Sequence, residues 1–211
     1  MTKEKGRTAR GPGRPALSET RRAATRREVA LVAARLFAEN GYGATTVDDI
    51  AASVGMGLRT FYRYFATKED VVAPLLALGT QAWADELAAC PPDQPLRAAL
   101  AQSYRTATAA SLAEQGITET LLRPLLLAAT ELPALSSTWL RVQRDCETTL
   151  IPIIAARTGR PTDDLDVALA AAVANTAVRL ATELWATGAT TGSAADAVET
   201  CLGRLSTHSL L

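Results

Sequence analysis

Residues 41–70, GYGATTVDDIAASVGMGLRTFYRYFATKED, constrain the fold more than any other stretch of this chain. Thr46 stands three residues before Asp49, and Thr67 three before Asp70. In each pair the hydroxyl can accept from free backbone N–H groups at a helix start, and the acid sits where the helix dipole favours negative charge. Two helix starts are thereby marked. Between them Ile50 and Val54 make a short apolar face, Gly55-Met56-Gly57 interrupts it, and LRTFYRYF resumes helical spacing with Phe61 and Phe65 on one side. Two short helices around a glycine-flanked turn, followed by a third helix start, have the layout of a helix-turn-helix, whose second helix reads DNA.

The charge distribution agrees with that layout. The chain is formally neutral, yet residues 1–68 carry thirteen Lys or Arg against six Asp or Glu, and the rest carries nine against sixteen. Ten of the thirteen cations fall within residues 1–35. A basic end suits a phosphate backbone, while an acidic remainder is repelled by DNA and helps present the correct face.

The whole chain reads as all-α, with about nine helices and no alternating strand pattern. Residues 1–17, with Gly and Pro among five cations, predict a disordered basic arm, and order is expected from Ser18. The first helix is expected over 19–40, with Val29, Ala33, Leu36 and Phe37 buried and Gly41 ending it. A fourth helix is expected from Lys68 to Ala89, and further helices near 94–114, 117–130, 133–158, 162–187 and 193–207, the last behind a Ser193/Asp196 capping box. Pro124 and Pro152 should kink the sixth and seventh. The domains are then 1–17, an arm; 18–67, a DNA-binding domain; and 68–211, an effector-binding and dimerisation domain.

The segment from Arg26 to Val72 closely resembles the N-terminal domain of tetracycline-repressor (TetR) family regulators, in which an LFAENGYGATTVDDIAASVG-like stretch leads into a TFYRYF recognition helix and a TKED-like fourth helix. That resemblance covers about a quarter of the chain. It implies a homodimer that sets two recognition helices in successive major grooves of a pseudo-palindromic operator, and a C-terminal domain that binds an effector. Kinked fourth and sixth helices would be the levers between them, and repression the usual mode.

Arg59 and Thr60 lie in the first turn of the recognition helix, which makes Arg59 the leading base reader, pairing with guanine. Thr46 is expected to cap its helix, and Thr45 to reach a phosphate. The resemblance assigns Tyr62, Arg63 and Tyr64 to phosphate or thymine-methyl contacts and Lys68 to a recurrent phosphate-binding position; Phe61 and Phe65 are expected to pack. Gly57-Leu58 departs from the Ser/Thr-basic pair of many relatives, so Leu58 either touches a thymine methyl or packs on the first helix. In the arm, GPGRP resembles Arg-Gly-Pro segments that enter narrow minor grooves, with Arg10 and Arg14 as the inserted charges. A linker that only raises non-specific affinity is the alternative.

The helices from the fifth to the eighth, rich in Leu, Ala and Ile, predict an apolar cavity whose polar groups are Tyr104, Arg123, Trp139, Gln143, Asn175 and Arg179. Asn175, Arg179 and Glu183 share a stripe that either orients a ligand head group or forms a salt bridge. The C-terminal half faintly resembles family members proposed to sense acyl-CoA-like ligands, and a hydrophobic antibiotic or aromatic metabolite fits as well. The last two helices, amphipathic and Ala-rich, are expected to form the dimer contact as a four-helix bundle.

Catalysis finds no support in the residues. The single histidine, His208, is near the C-terminus, and no cysteine has a basic neighbour in sequence. Cys90, Cys146 and Cys201 are far apart and odd in number, which predicts reduced core thiols rather than a metal site. No catalytic residue, metal or cofactor is expected. No stretch approaches about twenty uninterrupted apolar residues, so the expected compartment is the cytoplasm. The rival to a ligand-responsive regulator is a ligand-independent, architectural DNA-binding protein.

Overall fold

Gly41 ends the first helix because it can take a left-handed backbone (φ 83°) that lets its N–H bond the Phe37 carbonyl at 3.0 Å. That helix, α1 (Leu17–Asn40), opens a computed structural model that describes residues 17–111, 114 and 116–206. The arm expected over 1–17, with Arg10 and Arg14, lies outside the described residues apart from Leu17. Among the described residues there are nine α-helices and no strand.

α1 buries Val29, Ala30, Ala33, Ala34 and Phe37 along one face, while Leu36 is only half-buried. α2 (Val47–Ser53) starts at a complete capping box: Asp49 N–H donates to Thr46 Oγ1 at 3.1 Å, and Thr46 N–H donates to the Asp49 carboxylate at 2.8 Å. α3 (Leu58–Tyr64) follows the Gly55–Gly57 turn. The fourth helix does not begin at Lys68. A 3₁₀ turn occupies Glu69–Val72, and α4 runs Ala73–Ala89. Pro74 explains the break, since it has no N–H for the Asp70 carbonyl and its ring clashes there in a continuous α-helix.

The body packs around α4 and α8. α5 (Leu96–Thr106) passes into one π-helical turn, Ala107–Ser111; then come α6 (Glu119–Glu131), α7 (Pro133–Thr158), α8 (Leu165–Thr187) and α9 (Ala194–Ser206). α8 starts three residues later than expected because Asp164 caps it, accepting the Asp166 N–H at 2.8 Å. It is long and apolar enough to cross a membrane, yet Ala171, Ala174, Ala177 and Ala181 are buried where it packs between α7 and α9. Trp83, Leu87, Leu100, Leu135, Leu150 and Leu202 fill the centre. α1 rests on α2, the 3₁₀ turn, α4 and α6, so the N-terminal helices sit directly on the body.

Of the three cysteines only Cys146 is a fully buried core thiol, its pKa pushed up to about 12 by burial, with the Glu147 charge adding. Cys90 and Cys201 are half-buried and free.

Candidate nucleic-acid interface and ligand cavity

α3 is divided sharply between its faces. Phe61 and Phe65 are buried, with ring centroids 5.2 Å apart, and the Arg26 guanidinium of α1 lies 5.3 Å from the Phe65 ring. On the other side Leu58 is 41 % and Tyr62 54 % exposed, with Arg59 and Arg63 exposed beside them. The exposure of Leu58 puts it on the outward face rather than under α1. Thr60 and Tyr64 are half-buried. The guanidinium groups of Arg22 and Arg63 each lie 5.6 Å from the centre of the Tyr64 ring, and Arg22 also donates to the Arg63 carbonyl at 3.0 Å. Arg22, which the sequence analysis did not single out, therefore fixes the end of α3 to α1.

Two expected phosphate contacts face inward instead. Thr45 is buried, its hydroxyl 3.0 Å from the Gly41 carbonyl and 3.2 Å from that of Leu36, where α1 ends. It satisfies orphan carbonyls at a helix C-terminus and has no surface to offer a phosphate. Lys68 donates to the carbonyls of Tyr42 at 2.8 Å and Thr45 at 2.9 Å, and its ammonium sits 3.9 Å from the Tyr42 ring centroid. The charge is used to lock the α1–α2 turn to the chain after α3. Tyr42 donates to Glu69, and Asp70 pairs with Arg141 of α7, which extends this lock to the body. Thr46 caps as expected.

Behind these helices lies a cavity of about 290 Å³, near the lower end of ligand-site sizes, walled by α4, α5, α6, α7, α8 and the start of α9. All three tryptophans of the chain, Trp83, Trp139 and Trp185, line it. Trp83 stands edge-on to Tyr104 with centroids 6.1 Å apart. Burial, with the charge of Glu119 adding, raises the Tyr104 pKa and keeps that hydroxyl protonated.

Most polar groups of the wall are already engaged. The Trp83 indole N–H donates to the Leu100 carbonyl at 3.2 Å and that of Trp139 to Glu183 at 2.9 Å. The hydroxyls of Thr108 and Thr182 donate back to carbonyls one turn earlier. Arg105, at the rim, pairs with Asp196 at 3.2 Å and with Glu199, joining α5 to α9. Gln143 differs: it is buried, and neither its side-chain nitrogen nor its oxygen has a partner among the described residues.

Of the six polar candidates, Tyr104, Trp139 and Gln143 line the cavity, and three do not. Arg123 donates to the Ala186 carbonyl at 3.3 Å and lies 5.5 Å from the Trp185 ring. Asn175 donates to the Gln143 carbonyl at 3.0 Å, and Arg179 makes a salt bridge with Glu183 at 2.9 Å, so that stripe is structural. Trp83, Trp185 and Arg105 escaped the sequence analysis as cavity residues. The signal available was that each tryptophan sits among apolar residues of a different helix.

The sequence model of a family described as "Bacterial regulatory proteins, tetR family" matches residues 31–75. The HTH-type transcriptional regulator TcmR of Streptomyces glaucescens is 30 % identical over 156 residues, which are 72 % of this chain and 69 % of that protein. Among solved structures, a TetR-family regulator from Syntrophomonas wolfei superposes with a TM-score of 0.60 at 21 % identity, covering 89 % of this chain and 96 % of its own. Thermus thermophilus FadR, a TetR-family repressor in complex with lauroyl-CoA, gives 0.54 at 22 % identity, covering 88 % and 95 %. At these identities the two structures speak for the fold alone.

Proposed function

This chain belongs to the tetR family of bacterial regulatory proteins, and from that premise we propose that it is a cytoplasmic, ligand-responsive repressor that binds a pseudo-palindromic operator as a homodimer. Members of the family are transcriptional regulators with a helix-turn-helix DNA-binding domain. The observation that carries the reading is the division of α3, whose buried phenylalanines hold it to α1 while Leu58, Arg59, Tyr62 and Arg63 stand outward in a basic N-terminal region. Arg59 reads a base, Arg63 and Tyr62 hold the backbone, and Leu58 meets a thymine methyl. Arg10 and Arg14 add non-specific affinity or enter the minor groove.

The DNA-binding domain ends near residue 67, and the cavity behind it is the effector site, lined by Tyr104, Trp139 and Gln143. A small apolar or amphipathic ligand that prefers one spacing of the two DNA-binding domains shifts the population away from the operator-competent state. An acyl-CoA-like effector is the second reading; a neighbour of the same fold, that of Thermus, was solved with lauroyl-CoA. For dimerisation, α8 offers Leu165, Leu169 and Leu180, which are 79, 51 and 46 % exposed along one side, with α9 beside it.

Selecting bound fragments from random DNA tests the whole reading. A two-fold site, a dimer by sedimentation at micromolar concentration and release by a small apolar compound are the expected results. A site without two-fold symmetry or a monomer at that concentration would remove the dimeric reading, and indifference to every compound in a metabolite panel would leave an architectural DNA-binding protein.

A further inference from the structure

The cavity wall specifies a ligand class. Its apolar part combines four aromatic side chains, Trp83, Trp139, Trp185 and Tyr104, with aliphatic ones such as Leu75, Leu122 and Val178, and the four rings from different helices favour a flat ring system that packs against them. Its polar demand is concentrated in Gln143, an amide that lacks both an acceptor for its N–H groups and a donor for its oxygen. Both its nitrogen and its oxygen lie just beneath the cavity surface, and when the side chain turns toward the void a ligand group that donates and accepts side by side completes the amide.

Charge narrows the class further. The charged groups at the rim are Arg105 and Glu119, and Arg105 is held by Asp196 and Glu199, so one engaged cation stands among three carboxylates. The sequence between Arg105 and Arg123 contains no Lys or Arg, and Arg123 is bonded to the Ala186 carbonyl rather than lining the cavity. Among the described residues a phosphate-bearing ligand finds no free guanidinium or ammonium at this rim and meets carboxylates instead.

We infer that the cavity takes an uncharged, planar aromatic compound bearing an adjacent hydrogen-bond donor and acceptor, which pairs with the Gln143 amide, and that it discriminates against acyl-CoA-like anions. This rests on the cavity being the effector site. It selects between the two effector chemistries left open above.

Because every tryptophan lines the cavity, intrinsic fluorescence of the full-length dimer reports occupancy directly. The probes are 1-naphthamide, naphthalene, 1-naphthoate and lauroyl-CoA. 1-Naphthamide is expected to quench at a concentration about tenfold below naphthalene, as one or two net hydrogen bonds provide, and below both anions. Gln143→Leu and Gln143→Met, each checked for wild-type helical circular dichroism, should erase the preference over naphthalene while naphthalene itself still binds. Equal binding of 1-naphthamide and naphthalene, or a preference that survives both substitutions, overturns the inference. So does tighter quenching by lauroyl-CoA, and the effector reading survives each of these results. If the preference holds but 1-naphthamide leaves the operator bound, the ligand class stands and the effector reading falls.

Discussion

The N-terminal helices and the body treat polar groups in opposite ways. In the first, side chains that read as DNA ligands close the fold: Thr45 takes orphan carbonyls at the end of α1, Thr46 and Asp49 complete a capping box, and Lys68 binds two more carbonyls. In the body, buried polar atoms are left open at Gln94, Gln143, Arg157, Asn175 and Thr190 among the described residues. A buried unpaired group costs roughly 1–3 kcal/mol, so the contrast is energetic as well as geometric. The helices that face DNA are satisfied without a partner and present a fixed shape. The body keeps a deficit, and only its Gln143 part lies against the cavity, where under our proposal a bound molecule would relieve it.

Lys68→Met tests the first half of this contrast most severely. It strands two carbonyls and removes the cation from the Tyr42 ring, and the expected loss is about 3 kcal/mol of unfolding free energy by urea titration. The salt dependence of operator binding by the folded fraction should not change; a slope lowered by about one would mean that Lys68 holds a phosphate after all. Arg59→Ala should do the reverse. Stability stays constant while operator affinity falls by about 2 kcal/mol and base preference relaxes at one position per half-site, read by mobility shift across single-base variants of the selected operator.

How much of this was legible in the sequence follows the range of each interaction. The capping boxes at Thr46/Asp49 and Ser193/Asp196 are local, and spacing identified both. The buried face of α1 and the packing of Phe61 and Phe65 followed from helical period. Lys68 misled because a cation shows its charge but not its partner, and its carbonyls lie 26 and 23 residues away. For the cavity, period alone does not say which of two helix faces meets a void and which meets a neighbouring helix. Gln143 and Trp139 of α7 were placed correctly, whereas Asn175 and Arg179 of α8 turned to α7 and to Glu183. Pro74 shows the same limit in the backbone: its effect was visible in principle, yet the capping pattern at Thr67 outweighed it and put the helix start too early.

The second half of the contrast is tested by Gln143→Leu in the absence of ligand. If the amide is an uncompensated deficit, replacing it with an apolar group of similar size raises stability by about 1.5 kcal/mol, measured by the urea midpoint at constant m. A loss of stability of that size would instead mean that the amide is satisfied in the free protein, and the two regions would no longer differ in kind.

The smallest effect belongs to the α2 cap and is separable by pH. Thr46→Ala removes the acceptor for the Asp49 N–H and should cost about 1 kcal/mol at neutral pH. The hydrogen bonds from the Thr46 hydroxyl and then the Thr46 N–H hold the Asp49 carboxyl below its usual range. A depressed carboxylate binds fewer protons folded than unfolded, so its contribution is present above the unfolded value near 4 and is lost as the pH falls through the lower folded one. Wild-type protein should therefore lose stability as the pH falls below about 4 more steeply than Thr46→Ala, whose carboxyl has lost the larger of its two donors. Parallel acid limbs in the two proteins would assign the Asp49 shift to the backbone N–H alone and leave the hydroxyl with only its capping role.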